Sequence, residues 1–259
     1  MRIIILTQDE KLYLPTAIAT ICERFADEIV CIVTCPPMST HGGFIAGFFK
    51  HFMLFGLKGS FLLGVRVLKA KLGAMCTDTK RQQFFAIKQL AKYFDIPDYQ
   101  VSNVNTVHFH DLIDQFAPDL LISMSCPQVI RKATRNKFAM GCINVHGAPL
   151  PKYRGLMPAF WVLRNGENKT AVTVHDLAEK LDDGDILVQK DIDITPQDTW
   201  DSLVTKTKKA GAEALIDAIL QIKQFKVERR PNTEEEATYF SFPTYRDRVA
   251  FLRAGRSFF

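Results

Sequence analysis

Asn144 and His146 stand two residues apart at the end of a short apolar run, residues 142–145, which reads as a buried strand. Alternate side chains of a strand point to one side, so an amide donor and an imidazole project together. Gly147, Pro149, Pro151 and Gly155 then forbid regular structure, and the loop that leaves a strand's carboxyl end is where open α/β sheets put their ligands. The pair would share the mouth of a cleft, with a fixed hydrogen-bond donor beside a group able to hold or pass a proton. Such a pair is more often a satisfied structural contact than a catalytic one, so a second stretch must decide.

That stretch is residues 172–189, an alternating strand that leads into an acidic turn at Asp182, Asp183, Gly184 and Asp185 and out into another strand. Acids around a glycine, taken alone, make a solvated hairpin turn. Together the two stretches resemble the folate-dependent formyltransferases, whose pattern is Asn-x-His-x-x-x-x-Pro-x-Tyr-Arg-Gly followed by Leu-Asp-x-Gly. Here it is carried by Asn144, His146, the loop Leu150-Pro151-Lys152-Tyr153-Arg154-Gly155, and Leu181-Asp182-Asp183-Gly184, in order and in spacing. The resemblance runs from about residue 119 to residue 194.

The resemblance implies a Rossmann-like α/β fold, a mostly parallel sheet flanked by helices. It further implies 10-formyltetrahydrofolate as formyl donor, no metal, and a catalytic triad of Asn144, His146 and Asp182. In that chemistry an amine attacks the formyl carbon, and the oxygen gathers negative charge that the Asn144 amide and a His146 N–H stabilise. Asp182 raises the proton affinity of His146 and, directly or through a water, accepts the proton that leaves nitrogen. The same resemblance places one pterin wall at Pro127, Gln128, Val129 and Ile130, serving the folate through backbone groups more than side chains. It places the other at Leu177, Ala178, Glu179, Lys180 and on to Asp182.

The implied acceptor is a small primary amine on a nucleotide-linked amino sugar for surface polysaccharide. Such enzymes pair this core with variable extensions and no tRNA domain, and some carry glycine after the histidine, as Gly147 does here. Three alternatives stand beside it: a methionyl-tRNA formyltransferase, a formyltetrahydrofolate hydrolase, and a non-catalytic folate- or lipid-binding module. The tail, residues 226–259, is too short for the C-terminal domain with which methionyl-tRNA formyltransferases hold tRNA, and its aromatics are expected to pack back on the core.

Composition sets the frame. The 259 residues, 47% of them hydrophobic, can bury a sizeable core, expected as one catalytic domain over residues 1–225 with an extension at 226–259. A net charge of +5 does not by itself imply DNA or other nucleic acid. Six cysteines lack the paired spacing of a disulfide or zinc framework, and Cys31-x-x-x-Cys35 has no second pair to complete a metal site. The chain begins directly with a strand, so no signal peptide is expected, and a reducing cytoplasm fits.

The elements that must position the site follow in order. Residues 2–6 hold three consecutive isoleucines, as expected of a strand buried on both faces, and with a helix at 14–25 and a strand at 28–34 they complete a βαβ unit. The turn over residues 7–15 has no glycine. That disfavours a dinucleotide cofactor and departs from the glycinamide ribonucleotide transformylases, which resemble the core but carry glycines there.

An insertion spans about residues 42–78, and its residues 42–75 are rich in phenylalanine, leucine and lysine and contain no Asp or Glu. It reads as two short helices broken near Gly56 and Gly59. Either it packs on its own domain or on a second subunit of a homodimer, or it is an amphipathic basic surface that makes the protein membrane-peripheral by touching lipid or a lipid-linked substrate. No uncharged apolar stretch in it approaches the ~20 residues of a membrane span. Beyond it, helices are expected at 79–94, 107–116, from about 130, at 157–164 and from 198 to about 225, with strands at 99–101, 118–123, 170–175 and 185–192. His108 and His110 flank Phe109 in a helix and face apart, so they read as surface histidines. His175 is either exposed or a supporting neighbour of the triad.

Overall fold

A computed structural model of the protein describes residues 1–36, 43–75 and 83–259, the side chains of residues 43–46 excepted. The chain runs β1 (Ile3–Gln8), α1 (Leu14–Phe25), β2 (Ile29–Cys35), α2 (Gly43–Met75), α3 (Ile87–Tyr93), β3 (Asp98–Gln100), α4 (Val107–Phe116) and β4 (Leu120–Met124). It continues α5 (Lys132–Arg135), β5 (Cys142–His146), β6 (Arg154–Gly155), α6 (Pro158–Arg164), β7 (Lys169–Asp176) and β8 (Ile186–Asp193). It closes with α7 (Trp200–Lys223), β9 (Tyr239–Phe240) and α8 (Tyr245–Arg253).

Seven strands form one sheet in the order β3-β2-β1-β4-β5-β7-β8. The first five run parallel, and β7 and β8 add antiparallel. The isoleucine run of β1 explains why the sheet sits in the middle. Ile3 and Ile5 pack into a core shared with α1, α3 and α7, while Ile4 and Leu6 pack on the other face against α4. A strand buried on both faces has no polar side to give away.

The chain passes from β3 back across β1 to β4, so the crossover at which the strand order reverses lies at the carboxyl ends of the parallel neighbours β1 and β4. The long helix α7 starts with a capping box, in which Thr199 accepts from the Ser202 N–H and the Ser202 hydroxyl accepts from that of Thr199.

A third cluster lies outside the sheet. Leu54 and Phe55 of α2, Phe160 and Trp161 of α6, Phe251 of α8 and Phe258 are buried together, with Phe55 4.9 Å from Phe258 and Phe160 4.9 Å from Phe251 between ring centroids. The aromatics of the tail thus cover α6 directly behind the active-site loop.

Three expectations are corrected. The two helices expected over residues 43–75 do meet at a break at Gly56, whose φ of 68° is non-helical, but Gly59 adds no break: it lies inside the second helix and packs against Phe259. The helix expected at 79–94 is the shorter α3; residues 83–86 are non-helical, with Phe84 packed in the core, and residues 76–82 lie outside the described ones. The helix expected from about residue 130 is the single turn α5, because residues 126–131 run as an irregular loop tied by side chains.

Candidate active site

Both blocks of the motif meet at the carboxyl end of β5. Asn144 pairs with His175 across the β5–β7 ladder, an antiparallel register that sets their side chains face to face. The Asn144 Nδ2 donates to His175 Nε2 at 3.1 Å, and His175 Nδ1 donates to the Asp176 carbonyl at 2.8 Å. This pattern requires a neutral ring with its proton on Nδ1. Burial pushes His175 down to about 4, against the pull of the Asp182 charge and with the neighbouring His146 adding to the fall. His175 therefore fixes which way the Asn144 amide faces and leaves its second N–H free.

His146 donates from Nε2 to the Tyr153 carbonyl at 2.8 Å, and its Nδ1 lies 3.5 Å from Asp182 Oδ2. A proton on Nδ1 would face that carboxylate. The other carboxylate oxygen lies 3.7 Å from His175 Nε2, so Asp182 stands between the two rings. To serve as an N–H donor to a bound oxygen, the Nε2 of His146 must leave the Tyr153 carbonyl.

Asp182 is held in turn. Its Oδ2 accepts from the Gly155 N–H at 2.9 Å, and its carbonyl and that of Gly184 accept from Asn232 Nδ2 at 2.9 and 3.0 Å. Its φ of 52° lies in the left-handed region that Asp and Asn tolerate. Both motif glycines are explained by close approach. A side chain at Gly155, whose φ is 99°, would place its Cβ 2.3 Å from the Phe240 carbonyl oxygen, and one at Gly184 would place it 1.9 Å from that of Asp176.

Arg154 joins this loop to the tail. It is fully buried and donates to Asp183 at 2.7 Å, Glu234 at 2.9 Å, the Tyr239 hydroxyl at 2.6 Å and Asn232 Oδ1 at 2.8 Å. β6 also pairs with β9, Arg154 opposite Tyr239. Residues 226–259 thus supply part of the scaffold that places Asp182, through Asn232 and through β9.

The two stretches assigned to the pterin walls lie side by side. Arg135 donates to the Ile130 carbonyl at 2.5 Å and pairs with Glu179 at 3.5 Å, so one guanidinium bridges both. The side chain of Gln128 is committed to Val104 N and Ser102 O at 3.0 and 2.8 Å, while Val129 is exposed. Pro127 is half-buried beside them, Leu177 packs against the core cluster that contains Ile130, Ala178 is half-buried, and Lys180 reaches out to Glu234 at 3.8 Å.

At the end of β1 the glycine-free turn is closed by its own acid. Glu10 accepts from the N–H groups of Leu12, Tyr13 and Leu14 at 2.6, 2.9 and 3.0 Å, which fills the helix N-terminus that a phosphate would seek. Lys208, which burial holds below the usual lysine range, donates to Ser125 at 2.6 Å beside the same crossover.

The remaining candidates disperse. Cys31 and Cys35 sit in the core of β2, where burial pushes the Cys31 thiol up to about 12. His108 is exposed, while His110 bonds Thr134 at 2.9 Å. Among the described residues no cluster of three His, Cys, Asp or Glu could hold a metal ion. Sequence reasoning passed over Arg135, Asn232 and Glu234, which carry no local signal, and left the role of His175 open. The alternation Val-Thr-Val-His does put His175 on the face opposite Val174, away from the apolar core, which is the one hint available.

The formyl transferase family profile matches residues 67–219. The chain is 35% identical over 153 residues to the methionyl-tRNA formyltransferase of Clostridioides difficile, covering 59% of this chain and 50% of that one. It spans about half the length of the curated relatives it matches. Its fold is shared with an N-formyltransferase from Helicobacter canadensis solved with folinic acid and dTDP-3-aminofucose, at a TM-score of 0.60 and 15% identity over 98% of this chain and 80% of that one. It is shared too with glycinamide ribonucleotide transformylase 1 of Symbiobacterium toebii, at a TM-score of 0.62 and 13% identity over 90% and 94%.

Proposed function

Because the chain belongs to the formyl transferase family, we propose that it moves the formyl group of 10-formyltetrahydrofolate to a primary amine carried by a nucleotide-linked amino sugar in the cytoplasm. The observation that carries this reading is the buried set Asn144, His146 and Asp182 with its fixed amide. The folate, when bound, supplies the activated formyl carbon, and the loops at residues 127–130 and 177–182, joined by Arg135, form the two sides of its pocket.

Asn144 offers its free N–H to the oxygen on which charge gathers, and because His175 fixes the amide beforehand no reorganisation is needed when charge develops. His146 donates from Nε2 to the Tyr153 carbonyl, sets Nδ1 against Asp182, and can turn its Nε2–H to the same oxygen. Asp182 takes up the proton that the attacking nitrogen loses, while Gly155 N–H and Asn232 keep the carboxylate in place.

The acceptor assignment is supported by the fold shared along 98% of the chain with an enzyme crystallised with dTDP-3-aminofucose. Methionyl-tRNA is the second reading, favoured by the curated relatives. Release of tetrahydrofolate measured with a panel of nucleotide-linked amino sugars, with methionyl-tRNA and without any amine separates them. Turnover on a panel sugar is expected; turnover on methionyl-tRNA alone, or on water alone, would replace the amino-sugar assignment.

A further inference from the structure

Helix α2 is built inside out. At 3.6 residues per turn, the part beyond the Gly56 kink sets Gly59, Arg66, Ala70 and Gly73 on one face and Leu57, Phe61, Leu68, Leu72 and Met75 on the opposite one. The small face meets the domain. A side chain at Gly59 would meet Phe55 and Phe259, one at Gly73 would overlap the Phe85 ring, and Ala70 is buried. Arg66 pairs with Asp201 and lies 5.6 Å over the Tyr13 ring. The large apolar face points outward: Leu57 is 78% exposed, Phe61 68%, Leu68 58% and Met75 79%. A surface helix of a globular domain ordinarily buries its large apolar stripe and exposes the rest.

Charge identifies what covers this face. Lys58 and Lys69 border the stripe on one side and Lys71 on the other, and Lys50 precedes the kink with the exposed Phe48 and Phe49. Residues 43–75 contain no Asp or Glu, and among the described residues none of these four lysines has an acidic partner. A second copy of the chain would set lysine against lysine, a contact that like charges penalise. An anionic bilayer surface satisfies both features, because the apolar side chains enter the acyl boundary while the ammonium groups reach lipid phosphates.

The segment Gly47–Met75 is long and apolar enough to cross a membrane by length and composition, but the topology forbids it. β2 and β3, which flank α2 in the chain, are adjacent strands of one sheet, so the chain must enter and leave the helix on the same side of a bilayer.

We propose that the outer face of α2 docks the protein on an anionic lipid surface, with the helix lying in the plane of the interface. The full chain would be floated with vesicles of phosphatidylcholine containing roughly one-quarter phosphatidylglycerol, and with pure phosphatidylcholine, at about 0.1 M salt, where surface charges still interact over ~10 Å. The wild type is expected to bind the anionic vesicles at least about tenfold more than the neutral ones and to come off as salt rises. One variant combines Leu57→Ser, Phe61→Ser, Leu68→Ser and Leu72→Ser, and another combines Lys58→Glu, Lys69→Glu and Lys71→Glu. Each should lose about tenfold or more of that binding with an unchanged thermal midpoint, since none of these side chains packs into the domain.

Bare vesicles with the wild type, or binding that neither variant weakens, would overturn the proposal. So would a wild-type dimer that the serine variant turns into monomers while vesicles stay bare, which would assign the face to a second copy. The readout needs neither folate nor amine, so its outcome stands apart from that of the transfer reaction.

Discussion

At the carboxyl ends of β5 and β7, polar side chains are buried: His146 and Asp182 are each 7% exposed and His175 1%. Along the outer face of α2, large apolar side chains stand in water. Both regions break the ordinary burial pattern, in opposite directions, and they differ in how the cost is met. In the first, each of these side chains has a partner inside the chain, from the Asp176 carbonyl through His175 to Asn144 and from Tyr153 through His146 to Asp182, and one N–H of Asn144 is left over for the reaction. In the second, nothing in the described chain covers the exposed face. A buried polar network that is complete serves chemistry within the molecule, whereas an exposed apolar face is complete only with an occupant.

The comparison breaks if single changes in the buried network leave the reaction intact. The largest effect is expected from Asn144→Ala, which removes the free N–H and should lower kcat/KM by about a hundredfold or more while the thermal midpoint holds. Asp182→Asn should match it, because asparagine keeps the left-handed backbone and removes only the charge. Next comes Arg154→Met, which leaves Asp183 and the tail without their shared partner. A thermal melt should show a midpoint lower by about 5 °C or more, together with reduced turnover.

His175→Gln should cost about tenfold in kcat by freeing the Asn144 amide. It also changes the response to pH. With the folded ring pushed down from 6.5 to about 4, the unfolded chain takes up a proton below pH 6.5 that the folded chain does not. The stability that neutral His175 contributes is full above pH 6.5 and is lost as pH falls towards 4. The stability of His175→Gln, followed by urea titration, should fall less steeply across that window. The smallest effect belongs to Val129→Ser, whose exposed side chain leaves the loop backbone in place, so KM for 10-formyltetrahydrofolate should move by less than about threefold.

Much of this was legible from local pattern. Three isoleucines in β1, the Asn-x-His step in β5 and the Leu-Asp-x-Gly turn each announce their element, because burial and turn chemistry act over a few residues. What escaped depends on contacts far apart in the chain. Arg154 meets Asn232 and Glu234, Arg135 meets Glu179, and β6 pairs with β9, none of which leaves a spacing to read. α2 misled for a different reason. Gly56 bends the helix as glycine suggests, but Gly59 and Gly73 are there to let Phe259 and Phe85 come close, and a glycine chosen for packing looks in sequence like a glycine chosen for a break.

The most direct test of the central claim follows amine-dependent release of tetrahydrofolate from 10-formyltetrahydrofolate by the wild type and by Asp182→Asn side by side. Release that requires the amine and falls by about a hundredfold or more in the variant, at an unchanged thermal midpoint, is the predicted result. Release that ignores the amine, or that persists in Asp182→Asn, would contradict the assignment of Asp182 and its two histidines to the transfer.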